Sequence, residues 1–432
     1  MKDASDCSPS GTTGNERDLS LDTIAFAAAL LFANGQTTER TVASTERLGR
    51  SFGLNVRVLP QWGELTVEVE RTLLSDVYPI APLGVDMGRV IAVSDIVEKV
   101  VDQSLPRESA HSLLERAGQL HTVSTLRFVL FAALGAAALG VIFGALEIQS
   151  LLLIALSAGV GAFARRWLGR HASNPFAQPL AASAIAGLLA AIVIRTHASN
   201  AATLVAFCPC MVLIPGPHIL NGAIDLARTR ISLGISRLAY AGVLVLLICV
   251  GLLAGLAAGG VTFLPSDSPV AVPFVADVVA AGLAVASFGT FFSMSWRLLP
   301  IPIGIGMLAH AVRWALIAFA GVHVTTAALV ACLLVGVIIT PVVDRLQLPF
   351  AALAFSAVVS MMPGYYLFES ASALLRLVSS APQASTMELL TGVVRNGTTA
   401  FLVVLFMTIG LILPRMLLER YGPARTRRSA PL

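Results

Sequence analysis

Charge is what this sequence lacks most. Asp, Glu, Lys and Arg together make up 12% of its 432 residues against 56% hydrophobic ones, and the mean hydropathy is +0.81. So little charge excludes an ordinary soluble protein and points to a polytopic α-helical membrane protein. Lysine is missing after Lys99, so every cation beyond it is an arginine, which suits side chains that snorkel from helix ends to lipid headgroups. Residues 1–18 are polar and acidic without an apolar core, so no cleaved secretion signal is expected there. The chain has no H-E-x-x-H, G-x-S-x-G, Walker A loop or C-x-x-C, and so offers no metal-dependent, serine-hydrolase, ATP-driven or dithiol chemistry. The expectation is a protein that is not an enzyme, with no catalytic residues, no cofactor, no metal and no nucleic-acid partner. Cysteine is scarce as well. Cys208, Cys210, Cys249 and Cys332 lie in apolar runs, where small-residue packing is their expected role.

The charge that is present is unevenly placed. Residues 1–125 hold 11 Lys+Arg against 17 Asp+Glu, and the remainder holds 18 against 8. An acidic soluble front thus precedes a basic membrane part. After a disordered leader (1–18), a small cytoplasmic α/β domain is expected over 19–122. LDTIAFAAALLFANG reads as an amphipathic helix ended by Gly35, and Thr37 or Thr38 caps a second helix that stops near Gly53. LNVRVL and LTVEVE alternate around a turn at Pro60 to Gly63, the pattern of a hairpin with one covered face. Helices near 92–104 and 107–120 complete the domain.

Ten hydrophobic spans follow, centred in residues 126–146, 150–167, 178–195, 201–214, 236–259, 270–293, 301–320, 324–341, 348–363 and 397–414. With the front domain inside, Arg165, Arg166, Arg170, Arg228, Arg230, Arg237, Arg297, Arg345 and the tail arginines (416–432 and Arg415) face the cytoplasm, against Arg195, Arg376 and Arg395 outside. This obeys the positive-inside rule and places both termini in the cytoplasm.

Two breaks interrupt the spans in register. LIPGPHILNGAIDL at 213–226 recurs as MMPGYYLFESASALL at 361–375, and GVGAFARRW ending at Trp167 recurs as GMLAHAVRW ending at Trp314. The membrane part therefore reads as two five-helix repeats, 126–262 and 268–415, inverted because five is odd. Matched breaks in inverted repeats are the architecture of alternating-access transporters. The plainer alternative is that Pro and Gly merely end two helices.

The runs LLFANGQTTERTVASTERLGRSFGL, IPGPHILNGAIDLARTRISLGISRL and MPGYYLFES resemble the bacterial threonine/serine exporter family from about residue 20 to 415. The resemblance implies a cytoplasmic N-terminal domain, ten spans in two related halves, and secondary export of small amino acids coupled to the proton gradient. Pro215, Gly216, Asn221 and Asp225 match the first-half pattern, and Pro363 and Gly364 the second. Some split relatives are linked to dicarboxylate export, so substrate does not follow from fold. The second half departs from the first, with Tyr365, Tyr366 and Glu369 where Pro217, His218 and Asn221 stand.

Charges inside the membrane are the remaining candidates, because they are costly and kept for function. Asp277 is expected about seven residues into span 6 and Arg313 about seven from the outer end of span 7, with His310 a turn deeper. An ion pair beside a histidine would make a proton-coupling unit; alternatively, Arg313 anchors a helix end as Arg166 does. Asn221, Asp225 and Arg228 follow i, i+4, i+7 spacing after the first break, so they would share one helix face. That face, with His218, either meets a zwitterionic substrate in a cytoplasmic vestibule or lies at the lipid interface with Arg230. Glu369 holds the equivalent place in the second half. The expected partners are a small amino acid, the proton and the lipid bilayer; homo-oligomerisation and a passive channel stay open.

Overall fold

The computed structural model describes residues 12–72, 74–80, 82–171, 174–261, 271–346, 348, 350–378 and 386–421. It divides into two compact units, one ending at His121 and one starting at Thr122.

In the first unit, helices α1 (Thr12–Ala33), α2 (Thr38–Ser51), α3 (Met87–Val101) and α4 (Ala110–Gly118) accompany a three-stranded antiparallel sheet of β1 (Val56–Pro60), β2 (Gly63–Val69) and β3 (Ser75–Ile80). Thr37 caps α2 by accepting from the Arg40 N–H, and Asp86 caps α3 by accepting from the Arg89 N–H, each satisfying a donor that a helix start leaves open. Val58 pairs with Val67 in the expected hairpin. The alternating residues Val56, Val58, Leu65, Val67 and Val69 are buried with Ile24, Ala28, Leu31 and Phe32 of α1. Arg47 of α2 grips Glu98 of α3 at 2.7 and 2.6 Å with both guanidinium nitrogens. Three differences from the sequence reading appear. Helix α1 is already formed at Thr12, inside the expected leader; α3 starts at Met87 rather than 92; and β3 was not expected.

The second unit is helical throughout. Its elements are α5 (Thr125–Ile142), α6 (Ile148–His171), α7 (Ala177–Thr196), α8 (Ala202–Met211), α9 (Gly216–Ala227), α10 (Ile231–Ala258), α11 (Phe274–Phe291), α12 (Pro300–Ala320), α13 (Val324–Leu346), α14 (Phe350–Val358), α15 (Gly364–Val378) and α16 (Thr386–Tyr421). Among the described residues, eight of these helices are long and apolar enough to cross a membrane. The pairs α8/α9 and α14/α15, bent by 52° and 60°, bring the number to as many as ten. The protein is thus a polytopic membrane protein. The join between the expected repeats (262–268) and the last part of the tail (422–432) lie outside the described residues.

Burial in this unit is inside-out relative to a soluble protein. On α5 the large Leu126 and Leu130 face outward, 69% and 58% exposed, while the small Ala132, Gly135 and Ala136 face the neighbouring helices. Lipid gives no hydrophobic reward for burying leucine, so helices associate through small residues that let backbones approach. The packing pattern of the first half recurs in the second: α5 on α6, α6 on α7, α7 on α10 and α9 on α10 are matched by α11 on α12, α12 on α13, α13 on α16 and α15 on α16. In each half the third helix packs closely on the last. A Cβ added at Gly255 would sit 1.9 Å from the Ala184 carbonyl oxygen, and one at Gly410 would sit 2.9 Å from that of Leu329. Gly255→Val must push α10 off α7 and is expected to cost about 1–3 kcal/mol or more, read as a lower unfolding temperature in detergent. An unchanged temperature would contradict the close packing.

Candidate functional site

Proline writes the first break. Pro209 lies inside α8, Pro215 at the N-cap of α9 and Pro217 in its first turn, so three donors are removed from the segment around the break. Those that remain find nearby carbonyls: Leu213 N–H donates to Cys210 (3.0 Å), Gly216 N–H to Ile214 (2.9 Å), and His218 N–H to Pro215 (3.1 Å). The second break is built from a single 3-10 turn, Val359–Met361, after which Leu367 N–H donates to the Pro363 carbonyl at 3.1 Å.

Each break is covered by the other half. An added Cβ at Gly216 would fall 1.7 Å from the Phe355 ring of α14, and one at Gly364 would fall 2.6 Å from Met211 of α8. Glycine is therefore required at both positions by contact. Aromatic rings close the space around them. Tyr365 stacks on Phe143 at 5.5 Å and meets Phe207 edge-on at 5.8 Å, and Phe207 lies 5.4 Å from Phe368. Beside the first break, Pro209, Val212, Leu213, Phe128 and Arg165 line a cavity of about 20 Å³. That volume holds about one water, too little for an amino acid in this cavity.

The expected polar residues fall into two groups. His218, Asn221 and Asp225 are all buried on α9, and His218 meets Tyr240 edge-on at 5.1 Å. Asp225 is 1% exposed and held by Arg237 of α10, Nε to Oδ2 at 3.1 Å, with Arg230 at 3.7 Å. This corrects the idea of one open face. Arg228 is the C-cap residue of α9 and half-buried, whereas Arg237, 0% exposed, was grouped with cytoplasmic connections and is the actual partner of Asp225. A lone arginine in the second turn of an apolar helix, twelve positions after an aspartate, was the available signal.

In the second group, Asp277 accepts from His310, Oδ2 to Nδ1 at 2.8 Å, with both side chains buried. The expected partner was Arg313. The difference follows from the helix start: α11 begins at Phe274, so Asp277 stands in its first turn, where the helix dipole favours a carboxylate. Arg313 contributes its charge from further off and also acts on Tyr366. Trp314 fixes this end of α12 by donating from Nε1 to the Val272 carbonyl at 3.1 Å. Arg166, its neighbour's counterpart in the first half, instead donates to Thr122 and Val123. Pro363 and Gly364 are buried and Glu369 half-buried on α15. No group of three or more His, Cys, Asp or Glu suited to a metal exists among the described residues.

Two broken spans that cover one another, each beside a buried pair of titratable or charged side chains, define a multi-pass membrane protein of the transporter class. The family described as "Putative threonine/serine exporter" matches residues 22–259, and the one described as "Threonine/Serine exporter, ThrE" matches residues 277–417. The chain belongs to the threonine/serine exporter family. No curated protein and no solved structure matches the chain.

Removing one side of the buried ion pair strands the other. Asp225→Leu or Arg237→Met alone is expected to cost about 3–5 kcal/mol, while the two combined recover most of the loss. Thermal unfolding of the four proteins of this cycle in detergent measures the coupling; additive effects would show that the pair is not closed.

Proposed function

We propose that this protein exports small amino acids of the threonine/serine type from the cytoplasm, driven by the proton gradient through alternating access. The observation that carries the reading is the reciprocity of the breaks, with Gly216 under Phe355 and Gly364 against Met211. A segment that opens at one break must slide on the half-helix that forms the other, which ties the two gates together. The matched packing of α5–α10 and α11–α16, with five spans to each half, supports an inverted arrangement in which the breaks face opposite sides. The arginine distribution supports an orientation with both termini and the α/β unit in the cytoplasm, and the resemblance to the bacterial exporter family supports a bacterial inner membrane.

Roles follow from position. Pro215, Gly216, Pro363 and Gly364 act as hinges. Asp225 and Arg237 hold α9 to α10 as one body, so Asp225 serves the gate rather than the first encounter with substrate, and Arg228 stands at its cytoplasmic rim. His218, Asn221 and Glu369 offer hydrogen bonds to a zwitterion as the gate opens. Asp277 and His310 are the proton-binding pair, with Arg313 opposing a second positive charge beside it.

Efflux of threonine from cells loaded with a threonine dipeptide tests the proposal. Uphill efflux that a proton ionophore collapses is expected; flux that never exceeds the substrate gradient would show a passive channel instead. Efflux of succinate and not threonine would move the substrate to the dicarboxylates. Gly216→Leu is expected to insert normally but to lose at least about tenfold in efflux, because its side chain must displace the Phe355 ring. Asp277→Asn is expected to leave threonine exchange in place while abolishing the ionophore-sensitive part.

A further inference from the structure

We propose that the start of α5, the end of α6 and the turn before α12 together bind the phosphate of an anionic phospholipid, held by Arg127, Arg170 and Arg297. Contact of arginines with the bilayer at large selects no lipid, whereas this arrangement does. It goes beyond the export reading, because none of these residues handles substrate there.

Charge at this end of the bundle has no counterpart in the segments that build it. Asp and Glu are absent from residues 122–146, 148–224 and 278–343, which contain Arg127, Arg165, Arg166, Arg170 and Arg297. Asp225, just beyond the second of these stretches, is held by Arg237. Among the described residues, Arg127, Arg165, Arg170 and Arg297 form no ion pair. Arg166 is engaged by Thr122 and Val123 at 3.0 and 3.1 Å, and Arg165 lines the small cavity beside the first break. Three guanidiniums remain on the outside. Like charges gathered this way repel, so an anion from outside the chain stabilises them, and basic pockets between membrane helices take lipid headgroups for this reason.

The three arginines flank the lipid-facing edge of α5. At about 100° per residue, Thr125 and Arg127 lie on either side of Leu126, which with Leu130 faces outward. On one side Arg170 donates from Nη2 to Thr125 Oγ1 at 2.9 Å. On the other, Arg127 donates from Nη2 to the Met294 carbonyl at 3.3 Å and stacks on the Trp296 ring, 3.8 Å from its centroid. The Nε of Arg127 has no hydrogen-bond partner. Trp296 and Arg297 are the central residues of a turn closed by Leu298 N–H to the Ser295 carbonyl at 3.0 Å, and both are exposed. Trp167, one turn before Arg170, is 54% exposed and Trp296 58%. Exposed tryptophans at a helix-bundle end mark the headgroup level, so these guanidiniums stand at the depth of the phosphates, with acyl chains along Leu126 and Leu130. The stack on Trp296 fixes the plane of Arg127, and a fixed guanidinium suits two phosphate oxygens. A headgroup that carries its own ammonium is disfavoured beside three cations. Because Arg127 belongs to the first half and Met294 to Arg297 to the second, a phosphate shared by Arg127 and Arg297 also ties the halves together.

The full chain, delipidated in detergent and titrated with phosphatidylglycerol or phosphatidylcholine, tests the site by native mass spectrometry and by unfolding temperature. Phosphatidylglycerol is expected to bind at least about tenfold more tightly and to raise the unfolding temperature. Arg297→Gln changes an exposed turn and is expected to lower that preference about fivefold, the effect of one arginine at a lipid surface. Arg395→Gln, at an exposed arginine of α16, is expected to leave it unchanged. Inorganic phosphate at the same concentration is expected neither to displace the lipid nor to raise the temperature. Equal binding of the two lipids by the wild-type chain overturns the proposal, and that outcome needs no variant to fold. A preference lowered equally by Arg297→Gln and Arg395→Gln also overturns it, since the whole surface would then be responsible. Stabilisation by inorganic phosphate equal to that by lipid would overturn it as well, and assign the arginines to a soluble anion.

Discussion

A break in a membrane helix is tolerable only if its backbone is kept from lipid, since unsatisfied N–H and C=O groups cannot find water there. The rest of the membrane unit depends on this constraint. Part of it is met locally, through prolines that remove donors and short turns that satisfy the others. What remains is met by burial, and the body that buries each break is the first half-helix of the other repeat. Neither broken span is therefore complete without the other. A movement that exposed Gly216 would withdraw Phe355 from it, and Phe355 belongs to the helix that leads into the second break. Coupling between the two breaks thus comes from the cost of bare backbone in lipid, without a separate linkage.

The two halves match in packing but not in polar chemistry. The position equivalent to Asp225 in the second half is Ala373, and the position equivalent to His310 in the first is Phe163. The first break has a permanently ionised arginine paired across a short hairpin between α9 and α10. The second has a buried histidine paired with a carboxylate on another helix. The pair beside the first break joins α9 to α10, neighbours in sequence, and the pair in the second half joins α11 to α12.

Much of this was legible before the fold was seen, and the misses share one cause. Hydropathy locates spans because lipid fixes both their length and their polarity, and Pro-Gly locates the breaks because no other pair of residues interrupts a helix so reliably. Gly35, at φ +92°, and the Thr37 cap were visible for the same local reasons. Partners were not. Periodicity put Asp225 on a face with Arg228, but the side chain that holds it comes from the next helix; depth counting put Asp277 level with Arg313, but a helix start four residues later than assumed turned it toward His310. β3 went unread because SDVYPI contains Pro79 and buries none of its residues fully, the weak signal of an edge strand. Sequence shows what a residue costs in its surroundings, and only packing shows what it is paired with.

The kind of contact also separates what can move from what cannot. In each half the third and last helices meet through glycines that face backbone carbonyl oxygens with no room for a side chain, a close fit that resists sliding. The broken spans meet through rings, Phe355 over Gly216 and Tyr365 between Phe143 and Phe207. A ring can turn about its side-chain bonds and keep its apolar contact while the backbone beneath it shifts. Displacement is therefore cheapest where the breaks touch, at α8/α9 and α14/α15, and dearest where α7 meets α10 and α13 meets α16.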